Sequence, residues 1–353
     1  MPDEPKRRTS TRRIMILLVK LAIAAALLVV LLRRAKWADL RDAFRGIRWA
    51  WFALAVMLHF PGYVISAWRW RLLLVAQGEP IPFWKLVKSY LVATFFNYTL
   101  LGTLGGDVVR ITDTGLGRKR GAQASSAVFI ERLTGLIALV LLAAVGLLLL
   151  AASGAASSRI GGLALGALAL FAVVCVGLVA LTQPAVVRRL ATFAAKLAPG
   201  PQAHDHRVAL VRCLAVLVAK VLRGVSTLGH KLAEALDVFR ANRRPVYINL
   251  AWALLLQVNV TAHYFCLALA MGLAPVYDDP LRHALNYMVL VPLITLILMI
   301  PVTPGGAGVR ELTLKELRRG MGFAATRAGA TRAYLLGWLQ VASVLIYGAA
   351  GLV

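Results

Sequence analysis

The feature that most constrains this chain is a succession of apolar runs, each about 20 residues long, the length a helix needs to cross a bilayer. They fall at 14–32, 49–68, 83–101, 123–152, 160–182, 245–271, 284–300 and 333–351, and are built mainly of Leu, Ala and Val. A membrane strand needs only about 9–11 residues and an alternating pattern, which these runs lack. With 60% hydrophobic residues in 353 and a mean hydropathy of +0.75, the apolar surface exceeds what a soluble protein of this size can bury. The expected fold class is an all-α polytopic membrane protein of about eight hydrophobic helices, forming a single integral membrane domain over 1–353.

Three further properties exclude function classes. The formal charge is +25, but the basic residues lie between apolar blocks, so they fit basic loops beside spans and anionic lipid head groups rather than nucleic acid. Cys175, Cys213 and Cys266 are scattered, with no zinc, redox or disulfide spacing. No P-loop, H-E-x-x-H or nucleophile elbow occurs, so no cofactor is expected and the protein is not read as an enzyme. His204-x-His206 fits a solvated loop better than a metal site.

One motif occurs twice. Residues 103–110 read Thr-Leu-Gly-Gly-Asp-Val-Val-Arg, and residues 303–310 read Thr-Pro-Gly-Gly-Ala-Gly-Val-Arg. The shared pattern is T-x-G-G-x-x-V-R, at an offset of 303 − 103 = 200 residues. Each copy follows an apolar run. Paired glycines break helices, and a break at membrane depth must line a cavity or be buried in protein. At the same offset 49–68 overlays 245–271, and 123–152 overlays 333–351. Each half therefore reads span, broken helix, span: a first repeat at 49–152 and a second at 245–353. Such matched breaks mark inverted-repeat transporters and their binding sites.

Taken in order, residues 1–13 are basic and precede the run at 14–32. No small-residue cleavage site follows it, so it is expected to be an uncleaved first span. Trp68-Arg69-Trp70-Arg71 is expected to close the second run as interfacial anchors. His59, beside Pro61-Gly62, suits a polar contact at a kink. Gly162 and Gly166 offer a small-residue packing face. Residues 184–244 form a basic amphipathic linker on the cytoplasmic side, lying on the membrane surface or against the bundle.

Two topologies compete. Either both motif runs are re-entrant and the halves have opposite orientation, or all eight runs cross. Counting Lys and Arg slightly prefers full crossing. The re-entrant form is nevertheless expected, because it accounts for glycine breaks beside polar residues and keeps the basic N-terminus in the cytoplasm.

The candidate substrate-binding residues follow from the motifs. Arg110 and Arg310 end the two copies, and a guanidinium clamps phosphate bidentately. Helices restarting after Gly105-Gly106 and Gly305-Gly306 would add free N–H groups and partial positive charge. The alternative is that the arginines cap helices or snorkel. Asn97 makes the end of its run polar and suits a cavity wall. Asp107, Glu131 and Arg132 are ionisable at membrane depth and therefore need partners. Successive residues on a helix point about 100° apart, so Glu131 is expected to pair with Arg110 and Asp107 with Arg132, in a structural or a gating role. Glu311 is the matching acid of the second half. Arg110→Ala and Arg310→Ala are each expected to reduce transport while leaving the protein folded.

These residues give the chain a resemblance. Arg69-Trp70, Asn97, Gly105-Gly106-Asp107-Val108-Val109-Arg110, Glu131-Arg132 and Pro301-x-x-Pro304-Gly305-Gly306-x-Gly308-Val309-Arg310-Glu311 are similar to the lysylphosphatidylglycerol synthase transmembrane, or flippase-like, family. Leu101-Gly102-Thr103 stands where relatives usually carry a proline. The resemblance implies a lipid translocase (flippase-like) of the bacterial cytoplasmic membrane. Its partner would be an anionic or amino-modified phospholipid, and a homo-oligomer stays open. It also implies that this chain lacks the soluble aminoacyltransferase domain of bifunctional relatives. The alternative is a membrane-embedded enzyme or accessory protein in cell-envelope lipid or glycan synthesis.

Overall fold

The computed structural model describes residues 41–42, 44–97, 103–113, 121–153, 242–273, 280–298, 309–310, 312–314 and 327–352, with isolated positions between 162 and 239. Among the described residues all regular structure is helical. The helices are α1 (Trp49–Ala76), α2 (Phe83–Phe96), α3 (Thr103–Asp113), α4 (Gly121–Ala152), α5 (Arg244–Ala270), α6 (Pro280–Leu298) and α7 (Arg327–Leu352). The expected runs at 14–32 and 160–182 lie outside the described residues, apart from single positions. Gly162 is one of these, and a methyl added there would meet nothing within 4 Å.

Among the described residues, three helices are long and apolar enough to cross a membrane: α1, α4 from Ser126, and α5. Their outward faces carry Trp49, Met57, Leu148 and Tyr247, all exposed. A helix that is apolar all round suits a lipid exterior. Both α1 and α5 end on a glycine in the left-handed region, Gly78 at φ 79° and Gly272 at φ 57°. In each the same pair of bonds closes the last turn: Glu79 N–H to Leu74 O at 2.9 Å, and Leu273 N–H to Ala268 O at 3.0 Å. A Cβ at either glycine would strain the backbone.

The spans have definite directions. Arg48 N–H donates to Ala270 O at 2.8 Å, and Arg69 Nη2 donates to Asn249 Oδ1 at 3.2 Å. The start of α1 thus meets the end of α5, and the two run antiparallel. Ser126 Oγ donates to Gln77 Oε1 at 2.9 Å, so α4 begins beside the end of α1. The hairpin of α2 and α3 therefore leaves and returns at one end of the bundle. At 14 and 11 residues, its helices are roughly 21 and 16 Å long, short of the ~30 Å hydrocarbon core. In the second half, Arg332 Nη1 donates to Gly272 O at 3.2 Å, which puts the start of α7 beside the end of α5, as the start of α4 lies beside the end of α1.

These directions decide between the two topologies. A full crossing by the run 83–101 would make α1 and α4 parallel, whereas Gln77 meets Ser126 and Arg69 meets Thr134, so they are antiparallel. Re-entrant hairpins with opposed halves fit the geometry, and the preference of the charge count for full crossing is overruled.

Packing follows the repeat. The largest contact joins α1 to α5, while α2 packs on α7 and α6 on α4. The 303 − 103 = 200 offset turns α2 into α6 and α4 into α7, so the last two contacts are one contact seen from each half. Two main apolar cores result. One joins Ala67, Trp70, Leu73, Leu86, Ala127 and Ile130; the other joins Leu267, Tyr287, Leu290, Leu314 and Leu336. Phe239, from the 184–244 linker, is buried in the first core; the remainder of the linker lies outside the described residues, apart from isolated positions and its last three.

Candidate charged site in the re-entrant hairpin

The site is built where α3 lies between α2 and α4. The turn is held by Asn97, whose Oδ1 accepts from Gly106 N–H at 2.7 Å. A Cβ on Gly106 would stand 2.5 Å from Ala93 O, so only glycine lets α3 come this close to α2. Here one expectation is corrected. The helix restarts at Thr103, before the glycine pair, and Gly106 N–H is already bonded rather than free for an anion. Gly105 lies in the first turn of α3.

One turn on, Arg110 is buried at 6% exposure. Its guanidinium carbon lies over the rings of Trp70 and Tyr90, 4.2 and 3.9 Å from their centroids, in the corner made by that edge-to-face pair. Its Nη2 donates to Glu131 Oε2, and Tyr90 O–H donates to Glu131 Oε1. Asp107 Oδ1 lies 3.7 Å from Arg110 Nη1. Asp107 Oδ2 accepts from Arg132 Nε at 2.7 Å and is also paired with Arg132 Nη2. Both cross-element pairs read from the sequence, Glu131 with Arg110 and Asp107 with Arg132, are therefore present. Exposure rises along the chain of charges: the Arg110 side chain is 7% accessible and that of Arg132 39%.

Sequence reasoning misplaced Arg69 and Trp70. They are not interfacial anchors: α1 continues to Ala76, with Arg69 at 3% and Trp70 at 0% exposure. Arg69 Nη2 donates to Glu131 O at 2.8 Å and to Thr134 Oγ1 at 3.1 Å. Asn249 on α5 accepts from Arg69 and from Thr134 O–H, the latter at 2.6 Å, and returns a bond from Nδ2 to Arg69 O at 2.9 Å. Every acceptor of Arg69 is neutral. Among the described residues, the cluster thus holds three guanidiniums, Arg69, Arg110 and Arg132, against two carboxylates, Asp107 and Glu131. Tyr90, Thr134 and Asn249 were not read as site residues either. The available signal was a polar side chain inside an apolar run.

The second motif is only partly visible. Arg310 is buried at 3%, one turn before Leu314 of the other core. Gly305, Gly306 and Glu311 lie outside the described residues. Arg110 and Arg310 thus stand on different cores. Among the described residues, no group of three or more His, Cys, Asp or Glu side chains is placed to hold a metal.

Apolar spans, a re-entrant hairpin and a charge cluster sealed between them define an all-α polytopic membrane protein. The family model described as lysylphosphatidylglycerol synthase TM region matches residues 17–346. The chain belongs to this family. No curated protein and no solved structure matches it.

Proposed function

We propose that the protein is a translocase moving phospholipids with charged or phosphate-bearing head groups across the bacterial cytoplasmic membrane, and that it performs no bond chemistry on them. The observation that carries this reading is the surplus of guanidinium over carboxylate in the hairpin cluster, graded from half-exposed Arg132 to buried Arg110. A net positive charge favours an anion, and guanidiniums match phosphate in planar, bidentate geometry. A head-group phosphate arriving at Arg132 would compete with Asp107. Its advance to Arg110 requires exchange with Glu131, so the two ion pairs form a gate. Membership in a family named for lysylphosphatidylglycerol synthesis supports a lipid as the ligand.

The test is reconstitution of the full chain in vesicles carrying head-group-labelled phosphatidylglycerol in one leaflet. Transbilayer movement should rise with protein content and fall in Arg132→Ala. Movement that is unchanged by the protein, or a new lipid product in the vesicles, overturns the reading; the second outcome points to an enzyme of envelope lipid synthesis.

A further inference from the structure

A second polar cluster sits where α1 crosses α5, away from the charged hairpin. His59 of α1 and His263 of α5 face each other with ring centroids 4.6 Å apart. Tyr63 of α1 and Tyr347 of α7 flank His59 at 5.1 and 6.2 Å, and Tyr264 of α5 lies 5.7 Å from His263. On the far side of α5, His283 of α6 contacts Phe265 and Tyr287 instead. Among the described residues, His263 is the titratable group that bears electrostatically on the His59 ring, and no carboxylate bears on either ring.

The geometry fixes a tautomer. His263 is 2% exposed, and its Nδ1 lies 2.8 Å from Ala55 O. A carbonyl only accepts, so Nδ1 carries the proton and Nε2 of the neutral ring is a lone pair. That Nε2 is buried without a hydrogen-bond partner. The receiving stretch of α1 is locally weakened. Tyr347 O–H donates to Val56 O at 3.0 Å, and Pro61 has no N–H to give Met57 O.

We propose that His59 and His263 form a proton-binding site that sets how the two halves of the molecule pack. A hydronium ion gives its proton to the Nε2 lone pair of His263, leaving a water molecule and an imidazolium beside His59; one O–H bond is broken and one N–H bond is formed. In the packing seen here that charge would be buried beside a second imidazole with no counter-ion, which is costly. Proton binding and this tight crossing therefore oppose each other. Protonation favours an arrangement in which α1, α5 and α7 part enough to hydrate the rings, and deprotonation restores the packing. Because α1 and α5 are the joint between the halves, the proton biases the step that alternates access. Its use in transport rests on the translocase reading, whereas its existence does not.

Two experiments keep those failures apart. In full-length protein labelled with ¹⁵N-histidine in nanodiscs, His263 should show a bare Nε2 at high pH and gain a proton as pH falls from about 7 to 4, the acid side of the free histidine range. A ring that stays neutral throughout overturns the proposal, whether or not the protein moves lipid. In vesicles, wild-type translocation should change by roughly tenfold or more over that range, and His59→Gln and His263→Gln should each flatten the profile to within about twofold. A folded, inserted His263→Gln protein with the wild-type profile also overturns it. Should His263→Gln not fold, His59→Gln and the resonance of His263 decide.

Discussion

Arg110 is held by an ion pair with Glu131 and by the rings of Trp70 and Tyr90, over which its guanidinium lies. Each contact offsets part of the cost of taking a guanidinium out of water. Breaking a buried pair from one side strands the other charge, at roughly 3–5 kcal/mol. Arg110→Ala should therefore lose stability as well as transport, which revises the expectation of a folded, merely inactive variant. Combining it with Glu131→Gln should recover much of the stability and none of the transport, as read by thermal unfolding in detergent beside the vesicle assay. Arg132 behaves differently. Its side chain is 39% accessible, so Arg132→Ala should cost under about 1 kcal/mol, as a screened pair does, while still slowing translocation. Equal destabilisation by the two alanine variants would remove the gradient of burial on which the gate depends.

The element that makes the site is the α2–α3 hairpin, and its tightness depends on one missing methyl. With Ala93 O only 2.5 Å from the position of a Cβ on Gly106, Gly106→Ala must push α3 away from α2. Overpacking of this kind costs about 1–3 kcal/mol or more, and it displaces Asp107 and Arg110 together. We expect Gly106→Ala to abolish transport and lower the unfolding temperature, while Gly162→Ala, with nothing within 4 Å, changes neither. A Gly106→Ala protein with wild-type transport would show that the close hairpin is not needed for function. Asn97 belongs to this element too. Its measurable role is to cap Gly106 N–H, and an additional contact with substrate is a proposal.

For the whole molecule, the direction of α1 against α5 has one consequence that labelling can check. The α3 end of the first hairpin lies at the α1–α4 turn, and α7 begins at the opposite end, beside Gly272. With Cys175, Cys213 and Cys266 replaced, single cysteines at Asp113 and Arg327 should therefore label from opposite faces of the membrane in intact cells or sealed vesicles. Labelling of both from one face would be incompatible with the antiparallel pairing of α1 and α5. Arg110 and Arg310, the arginines that end the two motif copies, are both buried.

By itself the sequence determined the class and the position of most described spans. These are local properties: run length sets whether a helix can span, whereas the glycine pair expected to break the chain falls inside α3 and serves its close approach to α2. The sequence also gave the partners of Asp107 and Glu131, because neighbours on one helix cannot face each other. Only the tertiary structure decided that Arg69 turns inward. A charge near the end of an apolar run looks like an interface until Asn249, 180 residues away, supplies its acceptor. It alone decided that the hairpin returns to its own side, since a run of 83–101 is long enough on paper to cross and stops short only because α2 ends at Phe96 and turns on Asn97 and Gly106. And it alone joined His59 to His263, two unremarkable polar residues in separate spans, because antiparallel crossing brings distant positions to one depth and sequence spacing carries no record of which helices cross.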